Sequence, residues 1–181
     1  MCAALSAADI DQSITTDRLI LRPPTMDDAW RIADLANDYG VASMTSLIPH
    51  PYGYDDAAEF LSSLNAKPLS QSRLFAIEHR AFGVLGMIGL TRKDQFATEL
   101  GYWLGRTFWG RGLATEAAGA VTAWAFDVWG RRVILASHFA DNPASGRVLI
   151  KIGFLYTGEV RPLYSVSRKE SASARMMICL T

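Results

Sequence analysis

The chain has 181 residues, half of them hydrophobic, and its 18 lysines and arginines balance 18 aspartates and glutamates. That suits one globular domain with a sizeable core, and a formal charge of zero argues against a protein whose main work is gripping a nucleic-acid backbone or an anionic membrane. The only cysteines, Cys2 and Cys179, stand near opposite ends without metal-ligand spacing, which speaks against a disulfide framework or a metal site and for a reducing cytoplasm.

The opening "MCAALSAADIDQ" has neither a basic n-region nor a long apolar run, and no window reaches the roughly 18 to 20 apolar residues that cross a bilayer. Residues 1–13 read as a loose tail and 14–181 as a single domain. "DRLILRP" (Asp17 to Pro23) is a short strand pattern, ended by the Pro23-Pro24 pair. Thr25 and Asp28 then have the spacing of a capping box, with Ile32, Leu35 and Ala36 as the apolar face of a helix that Gly40 closes. "IPHPYGYDD" (Ile48 to Asp56) is turn chemistry, and a second helical run passes through Phe60, Leu61 and Leu64 to Pro68.

"RLFAIEH" (Arg73 to His79), "VLGMIGL" (Val84 to Leu90) and "TELGYWL" (Thr98 to Leu104) read as three strands with short links, so an antiparallel meander is expected. A helix over residues 112–128 follows, ended by Gly130, then the strand "RVILASHF" (Arg132 to Phe139). "NPASGRVLIKIGF" (Asn142 to Phe154) is a short helix with Asn142 as N-cap, Pro143 at its first position and Gly153 as terminator. "EVRPLYSV" and "ARMMICL" are the closing strands. Strands on both sides of helices, with meander and crossover links mixed, indicate an α/β or α+β sandwich on a mixed sheet.

The chemistry concentrates in "TFWGRGLATEAAGA" (Thr107 to Ala120). A helix N-terminus carries unsatisfied N–H groups and the positive end of the helix dipole, and glycines let phosphate oxygens approach the backbone. Gly110 and Gly112 therefore read either as a plain tight turn or as a pyrophosphate cradle. The P-loop pattern is missing its Gly-Lys-Ser/Thr, and the dinucleotide fingerprint has Thr115 in place of its third glycine. Asn142 and Ser145 likewise read as plain cap and first-turn residues on spacing alone.

"ELGYWLGRTFWGRGLATEA" (Glu99 to Ala117) followed by "NPASGRVLIKIGF" resembles the GNAT superfamily of acetyl-CoA-dependent N-acetyltransferases, and within it the RimJ/RimL-like branch that acetylates ribosomal-protein N-termini. "TTDRLILRPPTMDDAWRI" and "IPHPYGYDDAAEFL" extend the likeness over nearly the whole chain. The resemblance implies a mixed, mostly antiparallel sheet of about seven strands flanked by about four helices, with acetyl-CoA as co-substrate and no metal. It implies that the backbone of Gly110, Arg111, Gly112, Leu113, Ala114 and Thr115 holds the coenzyme A pyrophosphate, with Arg111 adding charge. Trp109 stands where the superfamily pattern has Gln or Arg. Trp103 and Leu104 would pair their backbone with the pantetheine arm, Asn142 would contact it, and Ser145 would protonate the leaving thiolate.

Acyl transfer from a thioester to an amine needs an unprotonated amine, placement and donors for the charge developing on oxygen, but no protein nucleophile. Direct attack in a ternary complex is the expectation, with backbone N–H groups at the end of "GYWL" as oxyanion donors. The resemblance, which puts a base or a water-bridged carboxylate at the start of the strand that carries the thioester, makes Glu99 the first candidate base, with His138 on the neighbouring strand the alternative, while Glu116 reads as a packing or hydrogen-bonding residue. The acceptor, a protein α-amine or a small-molecule amine, should meet "MTSLIPHPYGY" (Met44 to Tyr54) and "VRPLYSVSRK" (Val160 to Lys169), with Tyr52 and Tyr164 as candidates. A monomer or homodimer without nucleic-acid or membrane partners is expected. The competing reading is a non-catalytic acyl-CoA sensor or scaffold.

Overall fold

Among the described residues, eight strands make one sheet in the order β1-β2-β3-β4-β5-β6-β8-β7. They are β1 (Ile14–Thr15), β2 (Leu19–Arg22), β3 (Ser72–His79), β4 (Gly83–Arg92), β5 (Ala97–Leu104), β6 (Val133–Phe139), β7 (Leu155–Ser165) and β8 (Glu170–Leu180). The computed structural model describes residues 13–64 and 71–181. The predicted tail therefore lies outside the described residues except for Ser13, as does the end of the second helical run at Pro68. All neighbouring strands are antiparallel except β5 and β6, which run parallel. The meander is β3-β4-β5, and the helical crossover supplies the parallel step.

Five α-helices accompany the sheet among the described residues: α1 (Ala29–Ala36), α2 (Tyr39–Ala42), α3 (Tyr54–Leu64), α4 (Leu113–Asp127) and α5 (Pro143–Lys151). The capping box forms ahead of α1, with Asp28 Oδ2 accepting the Thr25 N–H at 2.8 Å. Asp28 is held there by Arg22, whose guanidinium also pairs with Glu78. The helix stops at Ala36, earlier than expected, because Asp38 starts a new turn by accepting the N–H groups of Gly40 and Val41. Gly40 therefore sits inside α2 rather than closing α1. Its missing Cβ admits Arg106, whose Nη2 would lie 1.9 Å from that atom.

Among the described residues, two apolar cores lie against the sheet. The larger packs Leu113, Ala117, Val121 and Trp124 of α4 and Leu149 of α5 against Leu21, Ile77, Leu100, Leu104 and Ile134. The smaller packs Ala29, Ile32 and Ala36 of α1 and Ala57 and Leu61 of α3 against Ala76, Val84 and Met87. Alternate strand residues face opposite sides, so β5 divides its side chains between these cores. The two extra elements relative to the sequence reading, β1 and α2, are two and four residues long, too short to leave a periodic signal.

Candidate active site

β5 and β6 pair only from Ala97/Val133 to Leu100/Ala136, although β5 continues to Leu104 and β6 to Phe139. On the other side of β5 the ladder is fixed by Lys93 N–H donating to Ala97 and Gly105 N–H donating to Leu85. Counting by twos between those bonds, Ala97, Glu99, Gly101 and Trp103 exchange hydrogen bonds with β4. The peptide groups of Thr98, Leu100, Tyr102 and Leu104 turn toward β6. Those of Thr98 and Leu100 find it, and those of Tyr102 and Leu104 face the gap. The Leu104 carbonyl accepts the Trp109 indole N–H at 2.7 Å.

A cleft of about 980 Å³ runs through this gap. Its walls include Glu99, Trp103, Leu104, Trp109, Gly110, Gly112, Leu113, Ala114, Thr115, Asn142 and Ser145. The expectation for Trp103 needs correction in one respect: strand parity commits its peptide groups to β4, opposite Met87, and it reaches the cleft through its side chain. Arg111 does not line the cleft. Its carbonyl is instead held by Arg18 Nη1 at 3.0 Å.

The glycine loop combines both readings of its sequence. Gly110 and Gly112 each have φ of 75°, a left-handed conformation that glycine adopts without strain. The chain so turned enters α4 with Gly112 as N-cap and no capping side chain. Among the described residues, no N–H from Gly110 to Thr115 finds a protein acceptor; the first helical bond is Glu116 N–H to Gly112 at 3.0 Å. A consecutive set of bare donors at the positive end of a fifteen-residue helix fits an anion. Arg18, whose guanidinium spans the Arg111 carbonyl and the Glu116 carboxylate, braces the loop.

Across the cleft, Asn142 Oδ1 caps α5 by accepting the Ser145 N–H at 3.2 Å. Ser145 Oγ lies 2.9 Å from the Tyr102 hydroxyl, which also reaches the Ser145 carbonyl at 3.2 Å. Burial pushes the Tyr102 phenol up to about 12, against a smaller opposing pull from Ser145, so it is a neutral donor. Sequence reasoning missed Tyr102; the available signal was its alternation with the core residues Leu100 and Leu104.

Glu99 lies in the last paired stretch before the gap, its carboxylate joined to Lys93 Nζ at 2.5 Å. His138 lies on the other face of the sheet, 6% exposed. Its Nδ1–H donates to the Phe139 carbonyl at 2.8 Å, and that tautomer leaves Nε2 to accept the Tyr156 hydroxyl at 3.0 Å. Both ring nitrogens are thus engaged. Glu116 accepts from the Thr16 hydroxyl at 2.6 Å and the Arg18 N–H at 2.9 Å. Burial works against its charge, but these bonds and the guanidinium hold its carboxyl below the usual range. Tyr52 is buried in the cleft wall, its phenol raised to about 12 by burial and by Asp56. Tyr164 is 56% exposed and not among the lining residues.

Residues 18–155 match the family model described as Acetyltransferase (GNAT) domain. The chain belongs to the GNAT acetyltransferase family. As a GNAT protein it is an acetyl-CoA-dependent N-acetyltransferase. The uncharacterized N-acetyltransferase YoaA of Bacillus subtilis is 33% identical over 82% of this chain and 85% of its own. The [ribosomal protein uS5]-alanine N-acetyltransferase of Escherichia coli is 29% identical over 78% of this chain and 77% of its own. Among solved structures, Mycobacterium smegmatis RimJ in complex with CoA-disulfide superposes with a TM-score of 0.84 at 18% identity, covering 96% of this GNAT chain and 89% of that one. The mixed, mostly antiparallel sheet is the GNAT fold that this superposition shows. No helix among the described residues is long and apolar enough to cross a membrane.

Proposed function

We propose that this protein acetylates a primary amine, the α-amino group of a protein or a small molecule, by direct attack within a ternary complex. The observation that carries the reading is the run of unpaired N–H groups from Gly110 to Thr115, on a loop that lines the same cleft as the Tyr102–Ser145 pair. The donors suit the pyrophosphate of acetyl-CoA, whose thioester supplies the acetyl group. The Tyr102 peptide group and the Leu104 N–H, whose own carbonyl is taken by Trp109, suit the pantetheine arm and the developing charge on the carbonyl oxygen. Asn142 keeps the first turn of α5 in place beside them.

As the N–C bond forms and the C–S bond breaks, one proton must leave nitrogen and one must reach sulfur. Glu99 is the acceptor for the first, directly or through a water, once Lys93 swings aside. Ser145 is the donor for the second, taking a proton back from solvent in the cleft as Glu99 releases its own there: when Tyr102 donates to Ser145 Oγ, the serine proton is free to point into the cleft. Cys179 is not a competing nucleophile, because it is buried and burial raises its thiol pKa.

Mass spectrometry after incubation with acetyl-CoA and a mixed library of N-terminal peptides and small amines, with thiol release followed in parallel, tests the reading. One acetyl group on one class of amine, and none on the protein incubated with acetyl-CoA alone, is expected. Binding of acetyl-CoA with neither thiol release nor an acetylated amine would overturn it.

A further inference from the structure

The face of β4 and β5 on the Glu99 side carries three rungs: Thr91 opposite Glu99, Gly89 opposite Gly101, and Met87 opposite Trp103. Residues directly opposite share a face, so two glycines lie side by side between a carboxylate and an indole. They are not equivalent. A Cβ at Gly89 would come within 2.4 Å of Leu74 Cδ1, so Leu74 already leans over that position. A Cβ at Gly101 would meet nothing within 4 Å, in the middle of a central strand. Gly101 lines the cleft, and its backbone is open space where a central strand ordinarily carries a packed side chain.

The walls over this bare rung are apolar. Leu74, Phe60, Ile48 and Trp103 are half-buried, pack on the same core between the sheet and the α1–α3 layer, and line the cleft. Charge is sparse there. Glu99 stands at one end of the rung, paired with Lys93, and the Asp56 carboxylate lies exposed at the cleft wall, where it accepts the Gly53 N–H at 2.8 Å.

Resting on the transferase reading above, we propose that the Gly89–Gly101 rung is the floor of the acceptor subsite and that it selects amines bearing an uncharged apolar substituent. The amine nitrogen is placed toward Glu99 and its substituent lies on the Gly101 backbone beneath Leu74 and Phe60. A substituent there gains burial against apolar walls, whereas a second charge laid on the Gly101 backbone would be desolvated beneath Leu74 and Phe60, which offer it no partner. Gly101 is then a specificity-determining position. It serves by being absent as a side chain.

The test compares kcat/KM for amino-acid amides differing only in the side chain: glycinamide, alaninamide, leucinamide, phenylalaninamide and lysinamide, with putrescine as a diamine. Leucinamide should exceed glycinamide by roughly tenfold or more, the scale of small apolar differences in a pocket, and lysinamide and putrescine should fall below it. Gly101→Val should erase most of the leucinamide-to-glycinamide ratio while calorimetry shows acetyl-CoA still bound. Its φ lies outside the left-handed region, so the backbone accepts a side chain. Leu74→Ala should move the optimum toward phenylalaninamide. A flat ranking, a preference for lysinamide or putrescine, or an unchanged ratio in a Gly101→Val protein that binds acetyl-CoA would overturn the subsite while leaving the transferase reading intact. No turnover of any amine or peptide would overturn both.

Discussion

The Tyr102 and Ser145 hydroxyls lie 2.9 Å apart, joining the open end of β5 to the first turn of α5 across the cleft. The phenol, pushed up to about 12 by burial, remains protonated throughout the working range. It therefore orients the serine hydroxyl rather than exchanging a charge with it. Tyr102→Phe should lower kcat by about 10-fold to 100-fold, at or below the usual yield of a positioned proton donor, with acetyl-CoA affinity nearly unchanged. Ser145→Ala should lower kcat at least as far, and the double variant should be no worse than Ser145→Ala alone. Independent, multiplying losses would show that Tyr102 does not act through Ser145.

The glycine loop makes a separate prediction. Alanine at φ 75° costs about 1–2 kcal/mol for the left-handed backbone, and this strain falls where the donors from Gly110 to Thr115 must converge. Gly112→Ala should therefore lower both the melting temperature and the stabilisation gained from saturating acetyl-CoA, which scales as RT ln(1 + [L]/Kd). A turn without a ligand role would lose stability yet keep the full ligand-induced shift. Differential scanning calorimetry with and without acetyl-CoA separates the two.

Why the loop was legible in sequence while Tyr102 and Gly101 were not follows from the range of the interactions. A helix N-terminus with glycines before it is local chemistry, complete within a few residues, and the Asn142 cap is equally local. The partnership of Tyr102 with Ser145 spans 43 residues and depends on which face of β5 meets the larger core. Gly101 gains its meaning from Gly89 on the next strand. Trp103 shows the converse limit: its place at the cleft was foreseeable, but whether its peptide groups or its side chain faced it was set by the parity of a ladder whose register no single strand reveals.

Glu116 links stability to pH through the same loop. Burial opposes its charge, but Thr16 and Arg18 hold its carboxyl below the usual value, so its stabilising contribution is complete above the unfolded-state pKa of about 4.3. It fades as pH falls through the lower folded value. Glu116→Gln should destabilise the protein at pH 7 by about 1–3 kcal/mol, the range for a charge-assisted bond lost from a mostly buried group. The deficit should shrink below about pH 4. Urea titrations of both proteins at pH 7 and pH 3.5 measure it, and a deficit independent of pH would show that the carboxylate charge is not the source.

Behind Ser145, Gly146 leaves room for a phenol oxygen and an imidazole nitrogen. A Cβ there would lie 2.6 Å from Tyr156 Oη and 2.7 Å from His138 Nε2. Tyr156 is 43% exposed and can swing out, but His138 is buried and pinned by its Nδ1–H to the Phe139 carbonyl. Gly146→Ala must therefore move either the imidazole or the first turn of α5, at about 1–3 kcal/mol for overpacking. Moving the turn also shifts Ser145 from Tyr102, so kcat should fall along with stability. His138→Ala in the same background removes the clash and should restore much of both, which a histidine acting as the reaction's base could not do. Melting temperature and kcat of the single and double variants together decide whether His138 props the helix or takes the amine's proton.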